Sequence, residues 1–306
     1  YLSRQDVISS IRNNLGLNPT LLNVRDKKAK GIGTLMVDVR SSYAEPLTIE
    51  KLFKWHEMLL GHEKNLTVGA WRSDQAPMQV VSGAYGKEKI HFEAPPSASL
   101  AKEMKQFIAW FNATGPGGKK EIKKAPLRSA IAHLYFESIH PFEDGNGRIG
   151  RAIAEKALSQ TVGRPILLSL SRTIEADKKA YYNALETAQR SNDITSWVAY
   201  FVKTTLAAQL QAEQLIDYIL KKTKYFDKFR GAFNDRQLKV IQEMLDAGPD
   251  GFVGGMSAQK YISIVKTSKA TATRDLQLLT EMGAIKPIGG GGRSTRYELN
   301  LALAGL

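Results

Sequence analysis

Between His140 and Arg151 the chain reads His-Pro-Phe-Glu-Asp-Gly-Asn-Gly-Arg-Ile-Gly-Arg. That run holds a titratable base, a carboxylate, glycines around an amide side chain, and a pair of arginines. Gly145 and Gly147 reach positive φ at little steric cost, so successive backbone N–H groups can turn to one side. Beyond them Ile149, Ile153 and Leu158, with Ala152 and Ala157, recur at helical spacing. A glycine loop entering a helix N-terminus is an anion site, because the first N–H groups lack intrahelical partners and the dipole favours negative charge. Arg148 and Arg151 lie one turn apart and can both reach a polyphosphate. Asp144 is a hard oxygen ligand suited to Mg2+ on a nucleotide. His140 can act as a base near neutral pH.

Helices must hold this run. Pro126 to Ile139 predicts a buried helix leading straight into His140. Ahead of it, Ser99 to Asn112 places Leu100, Met104, Phe107, Ile108 and Phe111 at helical spacing, after the Pro95-Pro96 break. A helix over residues 3–15 is expected, capped by Ser3 and ending near Gly16, and another over Leu47 to Leu60. Met78 to Gly83 and Lys89 to Glu93 read as two strands around Gly86. Asp177 to Arg190 and Ile194 to Leu220 complete an α-rich core. Then come helices at Asp235 to Ala247, Ser257 to Val265 and Ser268 to Met282. Ile285 to Ile288, four glycines and Arg293 to Leu299 follow. Three helices and a glycine hairpin are the order of a winged helix.

The run at 140–151 resembles the signature of Fic-domain proteins, His-x-Phe-x-Asp/Glu-Gly-Asn-Gly-Arg-x-x-Arg, with every defined position filled. The hairpin, the Pro-Pro before a helix, the Tyr181-Tyr182 helix and the appended winged helix resemble the bacterial Fic subgroup with a C-terminal winged helix. The fold this implies is mainly α: a Fic helical core with a small β-hairpin flap, plus a C-terminal winged-helix domain. The expected division is an N-terminal helix over 1–22, a catalytic core over 23–205, a connecting helix over 206–234 and a winged helix over 235–306.

The resemblance implies a protein adenylyltransferase, moving AMP from ATP to a Ser, Thr or Tyr hydroxyl of a target protein, or of the chain itself, and releasing pyrophosphate. It makes His140 the base and Asp144 the holder of Mg2+. Gly145, Asn146, Gly147, Arg148 and Arg151 would bind the phosphates, with Tyr182 and Gln189 beside the adenine. Gln79, Val80, Val81, Ser82 and Gly83 would dock the target by strand pairing. Phe142 would anchor the loop in the core, and Glu143 would face solvent. The other histidines (His56, His62, His91, His133) match no ligand spacing and read as core or surface residues. The intact Gly-Asn-Gly argues against the kinase-like Fic relatives, whereas transfer of another group from a different nucleotide stays open. Many Fic proteins carry an inhibitory Ser/Thr-x-x-x-Glu-Gly/Asn helix, which in this subgroup would precede the Ser3 helix. No such motif stands there in this sequence, so activity without release is expected.

Bulk properties set bounds. The 306 residues suit one large domain and a small one. Cysteine is absent, which removes disulfides, thiolate chemistry and Cys-based zinc sites and fits a cytoplasmic protein. No apolar stretch has the length of a membrane span. The net charge of +13 raises the question of nucleic acid. Lys269 and Arg274 (beside Thr271 and Thr273) could meet a groove, and Lys286, Arg293 and Arg296 could form a wing on phosphates. Yet residues 236–306 hold nine Lys or Arg against six Asp or Glu, a net of +3. Protein contact or homodimerisation through this segment is as consistent with the sequence as DNA binding. The alternative reading of the chain is a DNA-binding regulator whose Fic core is idle or modifies only itself.

Overall fold

The computed structural model describes residues 4–17, 20–74, 78–82, 89–166, 168–289 and 295–304. The chain is mainly helical and divides into two compact units, 1–209 and 210–306.

The first unit opens with α1 (Arg4–Asn14), α2 (Lys27–Ser41) and α3 (Ile49–Leu60). The hairpin of β1 (Gln79–Ser82) and β2 (Lys89–Glu93) follows, antiparallel, with Gln79 opposite Glu93. Next are α4 (Leu100–Ala113), α5 (Ala125–Ile139), α6 (Asn146–Val162), α7 (Leu170–Ala176), α8 (Lys178–Gln189) and α9 (Thr195–Lys228). Ser3, expected to cap the first helix, lies outside the described residues. Two helices were not anticipated, α2 and α7. The Asp26 side chain caps α2 by accepting from Lys28 and Ala29 N–H, and Ser169 caps α7 by accepting from Arg172 N–H. The expected helix from Ile194 runs on to Lys228 without a break, because no Gly or Pro interrupts it.

Helices α5 and α6 are the frame of the site, and a buried cation ties them to α4. Arg128 on α5 is fully buried. Its guanidinium donates to the carbonyls of Phe111 at 2.8 Å and Ala157 at 3.1 Å, and to Gln160 Oε1 at 2.9 Å. Burial draws its pKa down to about 10. On the far face of α6, buried Lys156 donates to the carbonyls of Ser42 at 2.6 Å and Tyr43 at 3.1 Å. An unpartnered buried charge would be costly, so each cation fixes the helices that supply its acceptors. One apolar cluster joins Leu52, Trp55, Phe107, Phe136, Phe142 and Ile153. A second gathers Leu134, Leu158, Tyr181, Trp197 and Phe201 on the α8–α9 side.

In the second unit, α10 (Asp235–Asp246), α11 (Ala258–Val265) and α12 (Lys269–Glu281) precede a hairpin of β3 (Ile285–Ile288) and β4 (Arg296–Leu299). Asn234 and Gln237 form a reciprocal capping box at α10. Val240, Met244, Tyr261, Leu276 and Ile285 share its core with Tyr225 and Phe229 of α9. Among the described residues no helix is long and apolar enough to cross a membrane.

Candidate active site

His140 ends α5 in the left-handed region, at φ 50° and ψ 59°. A non-glycine residue held there carries strain of about 1–3 kcal/mol unless its surroundings over-determine it. Arg72 supplies that constraint. Its Nε donates to the His140 carbonyl at 2.8 Å and its Nη2 to the Pro95 carbonyl at 2.5 Å, while its backbone N–H donates to Pro141 O at 2.9 Å. The Arg72 side chain is buried, and its pKa is drawn down by that burial.

The loop between α5 and α6 is anchored from inside. Phe142 is fully buried and stacks on His56, with ring centroids 4.1 Å apart. His56 Nδ1 accepts the Gly69 N–H at 3.1 Å, which leaves the proton on Nε2 to be donated to Asp144 O at 3.1 Å. The Asn146 amide bonds Phe142 in both directions: Oδ1 accepts its N–H at 3.0 Å and Nδ2 donates to its carbonyl at 2.7 Å. That side chain therefore shapes the loop, and its offering to a ligand is the backbone. Glu143 Oε2 accepts the Thr67 N–H at 3.1 Å.

Of the two loop glycines only Gly145 has positive φ, at 86°, as the residue before α6. Gly147 lies within the first turn of α6, so the expectation that both would adopt positive φ is corrected. What Gly147 provides is room, since a Cβ there would meet Arg151 Nη1 at 3.2 Å. The first N–H groups of α6, at Asn146 and Gly147, precede the first intrahelical donors, and Arg148 and Arg151 follow within the next turn.

Asp144 is 57% exposed at its side chain and pairs with Arg148 Nη2 at 2.9 Å. Its other oxygen takes the Gly145 N–H at 2.5 Å. Arg151 Nε donates to Ser171 Oγ at 2.8 Å. A cavity of about 110 Å³ brings together His140, Gly147, Arg151, Tyr182 and Gln189, bordered by Phe92 of β2. A second cavity, of about 460 Å³, lies between α2, α6 and the start of α7, and Arg148 and Arg151 line it. Arg151 is thus common to both. Tyr182 is 44% exposed, and Gln189 Nε2 donates to Glu137 O at 3.3 Å.

Behind the cavity stands a buried polar cluster that the sequence reading did not single out. Glu137 is held up to about 7 by burial, against the opposing charge of Arg151. His140 is brought down to about 4, chiefly by burial. His133, fully buried, is likewise drawn down to about 4, and its Nε2 lies 2.9 Å from Tyr181 Oη.

In the hairpin, Gln79 Nε2 donates to Glu93 Oε2 at 3.2 Å, and Val80 faces Phe92 across the ladder. Gly83, the last residue expected to dock a target, lies outside the described residues. So does Arg293 in the second unit. There Lys269, Arg274 and Arg296 are exposed, and Lys286 pairs with Glu298 at 2.9 Å. Asp275 of α12 is turned inward. It is 3% exposed and takes Tyr261 Oη at 2.9 Å and Arg236 Nε at 3.0 Å.

The loop after α5 and the start of α6 lie within residues 46–158, which match the Fic/DOC family profile. The chain carries a Fic domain. It is 27% identical over 184 residues to "Protein adenylyltransferase Fic" of Nematostella vectensis, covering 60% of this chain and 36% of that protein. It is 28% identical over 154 residues to "Uridine 5'-monophosphate transferase" of Xanthomonas campestris, covering 46% of this chain and 27% of that one. The match thus spans about a third of these curated relatives. A Fic family protein from Desulfovibrio desulfuricans superposes with a TM-score of 0.50 at 20% identity, over 97% of this chain and 86% of that chain. A Fic domain containing signaling protein from Bacteroides thetaiotaomicron also gives 0.50, at 19% identity, over 67% and 77%. These likenesses are of fold.

Proposed function

We propose that this chain transfers AMP from ATP to a Ser, Thr or Tyr hydroxyl of a target protein and releases pyrophosphate. The observation that carries the proposal is the gathering of His140, Gly147, Arg151, Tyr182 and Gln189 around one cavity at the mouth of a helix N-terminus. In this reading the acceptor oxygen attacks the α-phosphorus, the bond to the β-phosphate oxygen breaks, and His140 takes the hydroxyl proton. A positioned base contributes roughly 10²–10⁴-fold in rate. The α6 N-terminus and the two arginines hold the phosphates, and such positioning and charge stabilisation dominate phosphoryl chemistry. Arg151, common to both cavities, lets a triphosphate tail extend from the smaller into the larger. Tyr182 offers a flat face to a base and Gln189 a paired donor and acceptor.

Mg2+ fits this site through Asp144. Its carboxylate is exposed at the loop mouth, and among the described residues no three His, Asp or Glu side chains gather to cage an ion. A cation held by one carboxylate, phosphates and water is the usual arrangement for Mg2+ on a nucleotide. Arg148 would have to release Asp144 for it, and the ion would supply charge neutralisation on the phosphates.

The β1 strand would align the target by backbone pairing, and the second unit would act as a winged helix contacting protein. Incubation with ATP labelled on the α- or the γ-phosphate tests the reading: protein labelled only from the α-position is expected. Label arriving from the γ-position, or none in the presence of candidate targets and the chain itself, would refute it. The kinship with a uridine 5'-monophosphate transferase supports running UTP beside ATP in the same assay.

A further inference from the structure

The cluster behind His140 is built around a space that α6 leaves open. A Cβ at Gly150 would stand 2.3 Å from Glu137 Oε1 and 3.1 Å from the His133 ring, so any side chain there would evict the carboxylate. Into this space α5 turns Glu137, whose side chain is 5% exposed, with Oε2 3.8 Å from His140 Nδ1. Oε1 and the His140 Nδ1 are both buried and make no well-formed hydrogen bond among the described residues, and the backbone of Glu137 is the other group of that residue within the ring's reach. Leaving such atoms unpaired is costly, so the arrangement calls for a partner. The separation is about 1 Å longer than a hydrogen bond, and catalytic pairs of this kind often tighten only when substrate binds.

We infer that Glu137 is a positioning residue for His140: its carboxylate receives the Nδ1–H, fixes the ring, and so presents Nε2 to the acceptor hydroxyl. The inference rests on His140 being the base. When Nε2 takes the hydroxyl proton, the new bond is acceptor oxygen to α-phosphorus and the broken one joins that phosphorus to the departing pyrophosphate. The ring becomes an imidazolium whose Nδ1–H stays on the ring, directed at Glu137. A base oriented and charge-balanced by a carboxylate on its other nitrogen is the general logic of activated acceptors.

The charged surroundings set the pH response. Arg151 faces Glu137 from α6, and Tyr181 and Glu186 border the cluster from α8. His133 shares α5, and Arg72 and Asp144 act on His140 from the flanking loops. Burial raises Glu137 to about 7, so it is neutral in acid and ionised in mild base. The ionised form receives Nδ1–H in a charge-assisted bond, the stronger kind, and balances the imidazolium. Transfer is therefore expected to rise as pH passes through about 7.

The test is nucleotide transfer under saturating ATP, from about pH 6 to about pH 9, by wild type, Glu137→Gln, Gly150→Ala and His140→Ala. Glu137→Gln is expected to lower kcat by roughly 10²-fold or more, to leave KM for ATP within about threefold, and to lose the rise through neutrality. Gly150→Ala, which keeps the carboxylate but displaces it, is expected to lose kcat similarly, and it decides the matter where Glu137→Gln fails to fold. Ring 15N shifts of His140 give a readout apart from activity: the Nδ1–H tautomer is expected in wild type, and the pKa of the ring is expected to fall in both variants as the carboxylate is lost or displaced. Full kcat and an unchanged pH profile in the variants, with His140→Ala inactive, would overturn the inference and leave the base reading standing. An active His140→Ala would remove the base reading itself.

Discussion

Arg72 Nε and the carbonyl oxygen of His140 are 2.8 Å apart, joined across 68 residues of sequence. The bond lands on the one residue of the signature loop that a non-glycine backbone least favours, the left-handed His140. Local strain at the loop is thus held by a cation from a distant segment, and the same guanidinium ties that loop to Pro95 at the foot of the hairpin strand β2.

Arg72→Leu should therefore be costly in two ways. It leaves the His140 and Pro95 carbonyls without donors, and hydrogen bonds to charged groups contribute about 1.5–3 kcal/mol each. A fall in melting temperature of several degrees is expected, with a larger loss in transfer than in ATP affinity, because the N–H groups proposed to hold the phosphates belong to α6. Thermal melts and calorimetric ATP titration check this. A variant with wild-type stability and transfer would show that Arg72 does not hold the loop.

His56→Phe separates packing from hydrogen bonding. Phenylalanine keeps the stack on Phe142 but removes the acceptor for Gly69 N–H and the donor to Asp144 O. A loss of about 1–3 kcal/mol is expected from the stranded groups. Burial lowers the His56 pKa from its ordinary 6.5. The folded state then binds fewer protons than the unfolded one below that value, so the His56 contribution is complete above 6.5 and is lost as pH falls toward the lowered pKa. Wild type should lose stability faster than His56→Phe on acidification below about pH 6.5. Parallel slopes in denaturant titrations at several pH values would contradict this.

The legibility of the chain follows from where each signal resides. The loop between α5 and α6 was readable because its special residues are neighbours in sequence, and α4, α5, α10 and α12 were readable because their apolar periodicity is local. Helix α2 was not, since Gly31 and Gly33 sit inside it and glycine disfavours a helix by about 1 kcal/mol. Its reason is tertiary: a Cβ at Gly31 would stand 2.1 Å from the Met58 carbonyl of α3. Arg72 and His56 carry no pattern of their own, because their partners lie 68 and 88 residues away. Glu137 did carry a signal, three residues before His140 and hence on the same helix face. The burial of Asp275 was not legible, because sequence shows spacing, not which side of a helix meets Tyr261 and Arg236.

The loop glycines should fail differently. Gly145→Ala places a side chain at φ 86°, with a Cβ 3.1 Å from Leu60 Cδ1, so the loop itself must distort and stability should fall. Gly147→Val meets no backbone strain of that kind but pushes on Arg151 Nη1. It should fold normally and weaken ATP binding by about 10–100-fold, the range of a lost charge-assisted contact of about 1.5–3 kcal/mol. Calorimetry on both variants distinguishes the cases. Wild-type affinity in folded Gly147→Val would refute the close-approach argument.

The second unit is best tested by salt. With Asp275 turned inward onto Arg236 and Tyr261, the exposed charges of α12 are Lys269 and Arg274 against Glu281. On the hairpin, Lys286 is held by Glu298, which leaves Arg296 as the exposed cation of β4. This is a modest positive surface, small beside that of proteins making many phosphate contacts. Weak duplex binding without strong sequence preference is the expected outcome, lost between low and physiological salt. Each phosphate contact contributes about 0.9 to the slope of log K against log salt, so Lys269→Ala with Arg274→Ala should flatten it by about two. An unchanged slope would place the contacts elsewhere. A selection from random duplexes that returned one motif, bound at nanomolar affinity in physiological salt, would show that bidentate base readout outweighs this small field and would make the segment a sequence-reading module instead of a protein contact.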